Sequence, residues 1–151
     1  MDQLQFQNAQ LSDSSWIAQF QLKHALEVEH LTLNASTVLR GVEQVFRMPD
    51  VGFYITAKYG SETPVGCALV LKEWSEWRAT WVWWIHSVYV SLEYRGQRTF
   101  EKMYALIKAK AQAEGAAGLR LYVDKRNLAA QHIYKKLGMS NEHYELFEEL
   151  F

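Results

Sequence analysis

Only one cysteine, Cys67, occurs among 151 residues, so no disulfide can close within the chain and no cysteine-based zinc cluster can form. A lone thiol fits a reducing compartment, and the expected location is the cytoplasm. Charge of one sign is also missing. The formal net charge is -1, which leaves no global field to recruit nucleic acid or an anionic membrane surface. Any electrostatic selectivity has to be local. No apolar run is long enough to cross a bilayer. The opening MDQLQFQNAQ lacks a basic segment followed by an apolar one, so it does not read as a secretory signal. Repeats and low-complexity linkers are absent as well, and scattered histidines (His24, His30, His132, His143) show no metal-ligand spacing.

What is present is ordinary for a globular protein: 49% hydrophobic and 22% charged residues, enough for one core and a single domain over residues 1–151. The aromatic content is high, and four of the six tryptophans (Trp77, Trp81, Trp83, Trp84) crowd one short region. LQFQNAQ alternates weakly and predicts a first strand. Ser12, Asp13 and Ser14 offer N-cap side chains to a helix carrying Ile17, Phe20, Leu22 and Leu26 at helical spacing. Asn34 and Ser36 can cap a second helix through Val38, Leu39, Val42 and Val45, which stops before Pro49. VGFYITAKYG and PVGCALVLKEW, joined by the turn-rich GSETP, predict an antiparallel hairpin, and RATWVWWIHSVYV predicts a long third partner.

The clearest helix follows. Phe100, Met103, Tyr104, Ile107 and Ala111 share one face, and Gly115 and Gly118 end it. GLRLYVD alternates and predicts another strand. Asn127 can cap a last helix that ends at Gly138, and MSNEHYELFEELF predicts one or two short terminal strands. The result is an α/β (α+β) domain, with an antiparallel meander first and helix-connected strands second.

The segment YRGQRTF lies between a strand end and a helix start. The first helical turn has amides without internal partners and positive partial charge, which suits a diphosphate. Arg95 and Arg98 add full charge and bidentate donors, and Gly96 lets the backbone approach closely. A tight strand-to-helix turn with two solvated arginines reads equally well from these residues alone.

Together, Trp83–Gly138 resembles the GNAT superfamily of acyl-CoA-dependent N-acetyltransferases, in particular bacterial small-amine or polyamine-type members. The family turn runs Arg/Gln-x-x-Gly-x-Gly/Ala. Here Arg95 matches, while Arg98 stands where glycine is expected and Phe100 where a small residue is. The family's later Asn-x-x-Ala-x-x-x-Tyr-x-x-x-Gly is intact as Asn127, Ala130, Tyr134 and Gly138, followed by Met139. The resemblance implies a mixed, mostly antiparallel central sheet with helices on both faces, and acetyl-CoA as cosubstrate without a metal. It implies a coenzyme site made of Val88, Tyr89, Val90, Arg95, Gly96, Gln97, Arg98, Thr99, Phe100, Asn127 and Ala130. Backbone groups of Val88 and Val90 would pair with the pantetheine arm where the neighbouring strand splays away. Arg98 is expected in the first helical turn, with negative φ, where any residue is tolerated.

Acetyl transfer needs a neutral amine. An alkylamine of pKa ~10.4 costs roughly 4–5 kcal/mol to neutralise at pH ~7, a burden that a nearby base lowers. By the resemblance Tyr134 is the acid facing the coenzyme sulfur. A space-filling helical tyrosine is the alternative. His86 interrupts the apolar run WVWWIHSVYV at a place where some polyamine-acetylating relatives carry a glutamate, and an imidazole of pKa ~6.5 suits proton pickup. The alternative is a histidine packed against Trp84. Glu27 and Trp74 are the preferred acceptor-side residues, a carboxylate and an aromatic face suited to a cationic amine. The expected function is transfer of acetyl from acetyl-CoA to the primary amine of a small molecule, polyamine or amino-acid-like, by direct attack. A silent CoA-binding module and a protein or peptide amine acetyltransferase remain the alternatives. Expected partners are a small-molecule amine and, from family habit and the aromatic tail, a second copy in a homodimer, with no nucleic acid and no membrane.

Overall fold

A computed structural model describes residues 3–151. By contacts the chain divides into two compact units, one ending at Arg120 and the other Leu121–Phe151. The first unit contains a five-stranded sheet in the order β1-β2-β3-β4-β5. Strands β1 (Leu4–Asn8), β2 (Gly52–Tyr59), β3 (Thr63–Ser75) and β4 (Thr80–Val90) form an antiparallel meander, as their two-residue alternation predicts. Helix α3 (Thr99–Ala113) carries the chain from β4 to β5 (Gly118–Arg120), which pairs with β4 in parallel. The sheet is therefore mixed and mostly antiparallel.

Helices α1 (Ser14–Glu29) and α2 (Ala35–Phe46) connect β1 to β2. A 3-10 turn, Leu11–Asp13, precedes α1. Asp13 accepts from the Gln10 amide (2.9 Å) and the Trp16 indole (3.1 Å) and pairs with Lys58 (2.9 Å), so one carboxylate ties the start of α1 to β2. Asn34 caps α2 by accepting from the Thr37 amide at 2.9 Å, which satisfies one of the orphan donors of the first turn.

The core lies on both faces of the sheet. Ile17, Phe20 and Val42 of α1 and α2 pack with Tyr54, Cys67 and Tyr89 on one face. Strand alternation turns Ile55, Val70, Trp83 and Ile85 to the other, where α3 contributes Met103 and Ile107; all six are buried. Each aliphatic side chain removed from water in this way contributes roughly 1.5–3 kcal/mol.

Two expectations are corrected. GLRLYVD is not a seven-residue strand, since the ladder with β4 covers only Gly118, Leu119 and Arg120. The terminal strands do not form either: residues 139–151 contain no helix or strand, and Tyr144, Leu146, Phe147, Leu150 and Phe151 are exposed. In the second unit, α4 (Leu128–Lys136) is capped by Asn127, whose side chain accepts from the Ala130 amide at 3.1 Å. Gly138, at φ 90°, closes it: the Gly138 amide donates to Lys135 and the Met139 amide to Tyr134, both at 3.0 Å, the paired bonds of a left-handed helix stop.

Candidate active site

A single extra residue in β4 shapes the site. Leu69 of β3 faces His86, and Cys67 faces Tyr89, so two steps on β3 match three on β4. The surplus sits at Ser87–Val88, where Ser87 adopts φ 52°. This is a β-bulge with a left-handed residue that is not glycine. Without it, His86 and Tyr89, three apart, would point to opposite faces. With it they share a face, because Cys67 and Leu69 are two apart on β3. That face carries α1.

Helix α1 meets the bulge through a polar row at three-residue spacing: Gln21, His24 and Glu27. The Gln21 side-chain amide donates to the Ser87 carbonyl (3.4 Å) and reaches the Cys67 Sγ (3.5 Å). The His24 ring stands edge-on to Tyr89, centroids 6.4 Å apart. Burial lowers its pKa, opposed by the charges of Glu29 and Glu27 and by the Val88 backbone. Glu27 accepts from Arg95 Nη2 at 2.8 Å and from the Tyr89 hydroxyl at 3.2 Å, and the Arg95 bond is the main cause of its lowered pKa. Neither Gln21 nor His24 was among the sequence-derived candidates. Their signal was the three-residue spacing of Gln21, His24 and Glu27 along α1.

His86 lies half-buried on the same face, stacked on Trp84 with centroids 6.0 Å apart and planes 20° apart. Burial lowers its pKa, so the ring is neutral at pH 7. Cys67 is fully buried and its thiol is pushed up to about 12, which removes it as a nucleophile. Trp74 does not join this group. It pairs with Trp81 near the tip of the β3–β4 hairpin, about 17 Å along β3 from the residue facing His86.

The turn after β4 is where the sequence placed it. The 3-10 turn Leu92–Tyr94 leads to Arg95, extended, then to Gly96 at φ 74° with open space where a Cβ would stand. The first bond of α3 runs from the Lys102 amide to the Arg98 carbonyl, so the amides of Thr99, Phe100 and Glu101 precede the helical ladder. Thr99 is buried and its hydroxyl donates to the Tyr94 carbonyl at 3.1 Å, while the Gln97 side chain donates to the Glu93 carbonyl at 3.1 Å. Phe100 packs toward Tyr104 on the apolar face of the helix.

Arg98 requires a correction. It is not inside the first helical turn with negative φ; it is the N-cap, at φ 60° and ψ 27°. The left-handed region explains why glycine suits this position in the motif: a Cβ there costs about 1–2 kcal/mol. The side chain does not plug the turn. It is 77% exposed and pairs with Glu101 at 3.6 Å. The Arg95 guanidinium is engaged by Glu27 and by the Val90 carbonyl (2.7 Å).

Beyond Trp84 the ladder between β4 and β5 ends, so the stretch Ile85–Val90 continues without β5. A β4 edge that is no longer laddered to β5, a glycine turn with room for close approach, and helix-start amides together fit a ligand bearing amide groups and a diphosphate. Among the described residues no group of three or more His, Cys, Asp or Glu is placed to hold a metal ion, and no helix is long and apolar enough to cross a membrane. In the second unit, Tyr134 is half-buried and its pKa is raised by burial, so its hydroxyl stays protonated through neutral pH.

Comparison with known proteins points the same way. A family model described as the acetyltransferase (GNAT) family matches residues 12–139. No curated protein matches the sequence. Among solved structures, the chain is similar to a possible acetyltransferase from Clostridium difficile 630, with 30% identity, TM-score 0.90, and coverage of 98% of this chain and 97% of that one. It shares its fold with a predicted acetyltransferase with acetyl-CoA from Clostridium acetobutylicum, at 14% identity, TM-score 0.80, and coverage of 97% and 96%. A third is glucosamine-6-phosphate N-acetyltransferase from Arabidopsis thaliana, at 16% identity, TM-score 0.75, and coverage of 99% and 100%.

Proposed function

Because the chain belongs to the acetyltransferase (GNAT) family, we propose that it transfers an acetyl group from acetyl-CoA to the primary amine of a small polyamine-like or amino-acid-like molecule by direct attack. The observation that carries this reading is the continuity of three features in one stretch: the β4 edge past Trp84, the Gly96 turn, and the start of α3.

Acetyl-CoA, when bound, supplies the thioester. The amides of Gly96, Gln97, Arg98, Thr99 and Phe100 would hold its diphosphate, helped by the charge of Arg98. Val88, Tyr89 and Val90 would bind the pantetheine arm along the β4 edge. Asn127 would donate through the amide nitrogen that its helix cap does not use, and Ala130 lies on the same first turn of α4.

His86 is the proposed base. A neutral imidazole can take a proton from the acceptor's ammonium, directly or through water, so that the freed amine can attack the thioester, and its lowered pKa keeps it in the accepting form at neutral pH. Tyr134 is the proposed acid, kept protonated by burial so that it can deliver a proton to the departing thiolate. Glu27, half-exposed on α1, supports a cationic acceptor. The lone buried cysteine suits a cytoplasmic location, and the exposed apolar side chains of the 144–151 segment favour a homodimer.

The test is thiol release from acetyl-CoA against a panel of polyamines, amino acids and aminoglycosides. Saturable release with at least one amine is the expected result. CoA binding with no release across the panel would leave a binding module instead.

A further inference from the structure

Arg95 opens the coenzyme turn, yet its side chain is bound elsewhere. Nε donates to the Val90 carbonyl at 2.7 Å, Nη2 donates to Glu27 at 2.8 Å, and the guanidinium carbon lies 5.4 Å from the centre of the Tyr89 ring. The other Glu27 oxygen accepts from the Tyr89 hydroxyl at 3.2 Å. One arginine thus joins the acceptor-side helix, the end of β4 and the turn. Glu27 and Arg95 are 68 residues apart in sequence, so only folding brings them together.

The pair is half-open to solvent, with side-chain exposures of 44% and 35%. Ion pairs of this exposure are weak. A diphosphate carries more charge than one carboxylate and offers the bidentate geometry that a guanidinium prefers. The Val90 carbonyl held by Arg95 is also an edge group that the pantetheine arm needs. Arg95 therefore occupies, within the protein, contacts that a bound coenzyme would compete for.

We infer that Arg95 is shared between Glu27 and the coenzyme diphosphate, so that filling the turn draws Arg95 away and leaves the Glu27 carboxylate as an anionic site for the ammonium of the acceptor. This rests on the acyl-CoA reading above and extends it. Glu27 is then a positioning residue for the cofactor turn before coenzyme binds and a specificity residue for a cationic amine afterwards. Linkage requires the effect to run both ways: the factor by which bound coenzyme raises amine affinity is the factor by which bound amine raises coenzyme affinity.

The experiment is calorimetric titration of CoA into the native chain, Glu27→Gln, Arg95→Gln and the double variant, with circular dichroism confirming that each is folded. Removing the competing carboxylate should tighten CoA binding by about two- to five-fold in Glu27→Gln. The same substitution in the Arg95→Gln background should leave affinity unchanged. Unchanged or weaker binding in Glu27→Gln overturns the sharing. So does equal tightening in both backgrounds, which would reflect removal of a negative charge alone. Spermidine serves as the cationic probe: saturating CoA should raise its affinity in the native chain and not in Glu27→Gln, and the absence of a rise overturns the release of Glu27. If no folded form binds CoA, the acyl-CoA reading falls together with this inference, an outcome distinct from the others.

Discussion

Replacing Arg98 by glycine and by alanine tests the turn's backbone directly. At φ 60° the arginine Cβ carries about 1–2 kcal/mol of left-handed strain, which glycine removes. Glycine adds about 0.5–1 kcal/mol of unfolded-state entropy. Both variants lose the exposed pair with Glu101, worth a few tenths of a kcal/mol at about 0.2–0.5. Arg98→Gly should therefore be roughly neutral to 1 kcal/mol more stable than the native chain. Arg98→Ala retains the strain and loses the pair, so it should be a few tenths less stable. In an ordinary helix the order is reversed, with alanine better by about 1 kcal/mol. Urea unfolding with constant m-value reads the difference from the midpoints, and a thermal scan should separate the two by a few degrees, at about 2–4 °C per kcal/mol. If alanine proves the more stable by half a kcal/mol or more, Arg98 is not left-handed and the account of the turn is wrong.

Tyr134→Phe should lower kcat by about 10²-fold or more while CoA affinity stays within about twofold, measured by thiol release and calorimetry; parallel loss of both would remove its role as acid. The pKa of His86 is lowered in the fold, so the acid limb of kcat/KM should lie below pH ~6.5 and vanish in His86→Gln, and a limb centred near pH ~8 would exclude this base. His24 and His86 both have lowered pKa values when folded, so the unfolded chain binds more protons. The contribution of these two groups to stability is then full above pH ~6.5 and is lost as pH falls below it, a slope that the double His→Gln variant should flatten in urea titrations at each pH. Gly66→Ala would place a Cβ 2.7 Å from the Tyr89 carbonyl oxygen, opposite Val90 just past the bulge, so it should cost about 1–3 kcal/mol and depress activity; a native-like midpoint would show the β3–β4 approach to be looser than described.

Much of the architecture was legible because it depends on local periodicity. The alternating runs of β2, β3 and β4 need only neighbouring partners a hairpin away, and α3 announces itself by Phe100, Met103, Tyr104 and Ile107 on one face. The caps at Asn34 and Asn127 were legible for the same reason, since a cap acts on an amide three residues away. GLRLYVD shows where that logic stops. Alternation marks the capacity to form a strand, but a ladder exists only where a partner offers its hydrogen-bonding groups, and β4 does so only as far as Trp84. The bulge escaped because nothing marks Ser87, which adopts a conformation that glycine ordinarily signals. Arg98 escaped likewise.

The order of elements, the position of the glycine turn after β4, and the tyrosine on the last helix were determined by residue pattern alone, since short-range hydrogen bonding and burial of one face act within a few residues. Which side chains meet there was decided by tertiary structure. The one-residue slip in β4 set His86 beside Tyr89, and packing of α1 brought Glu27 onto Arg95. Those contacts join residues separated by up to 68 positions. Their geometry depends on how closely a helix approaches a sheet, which no local spacing encodes.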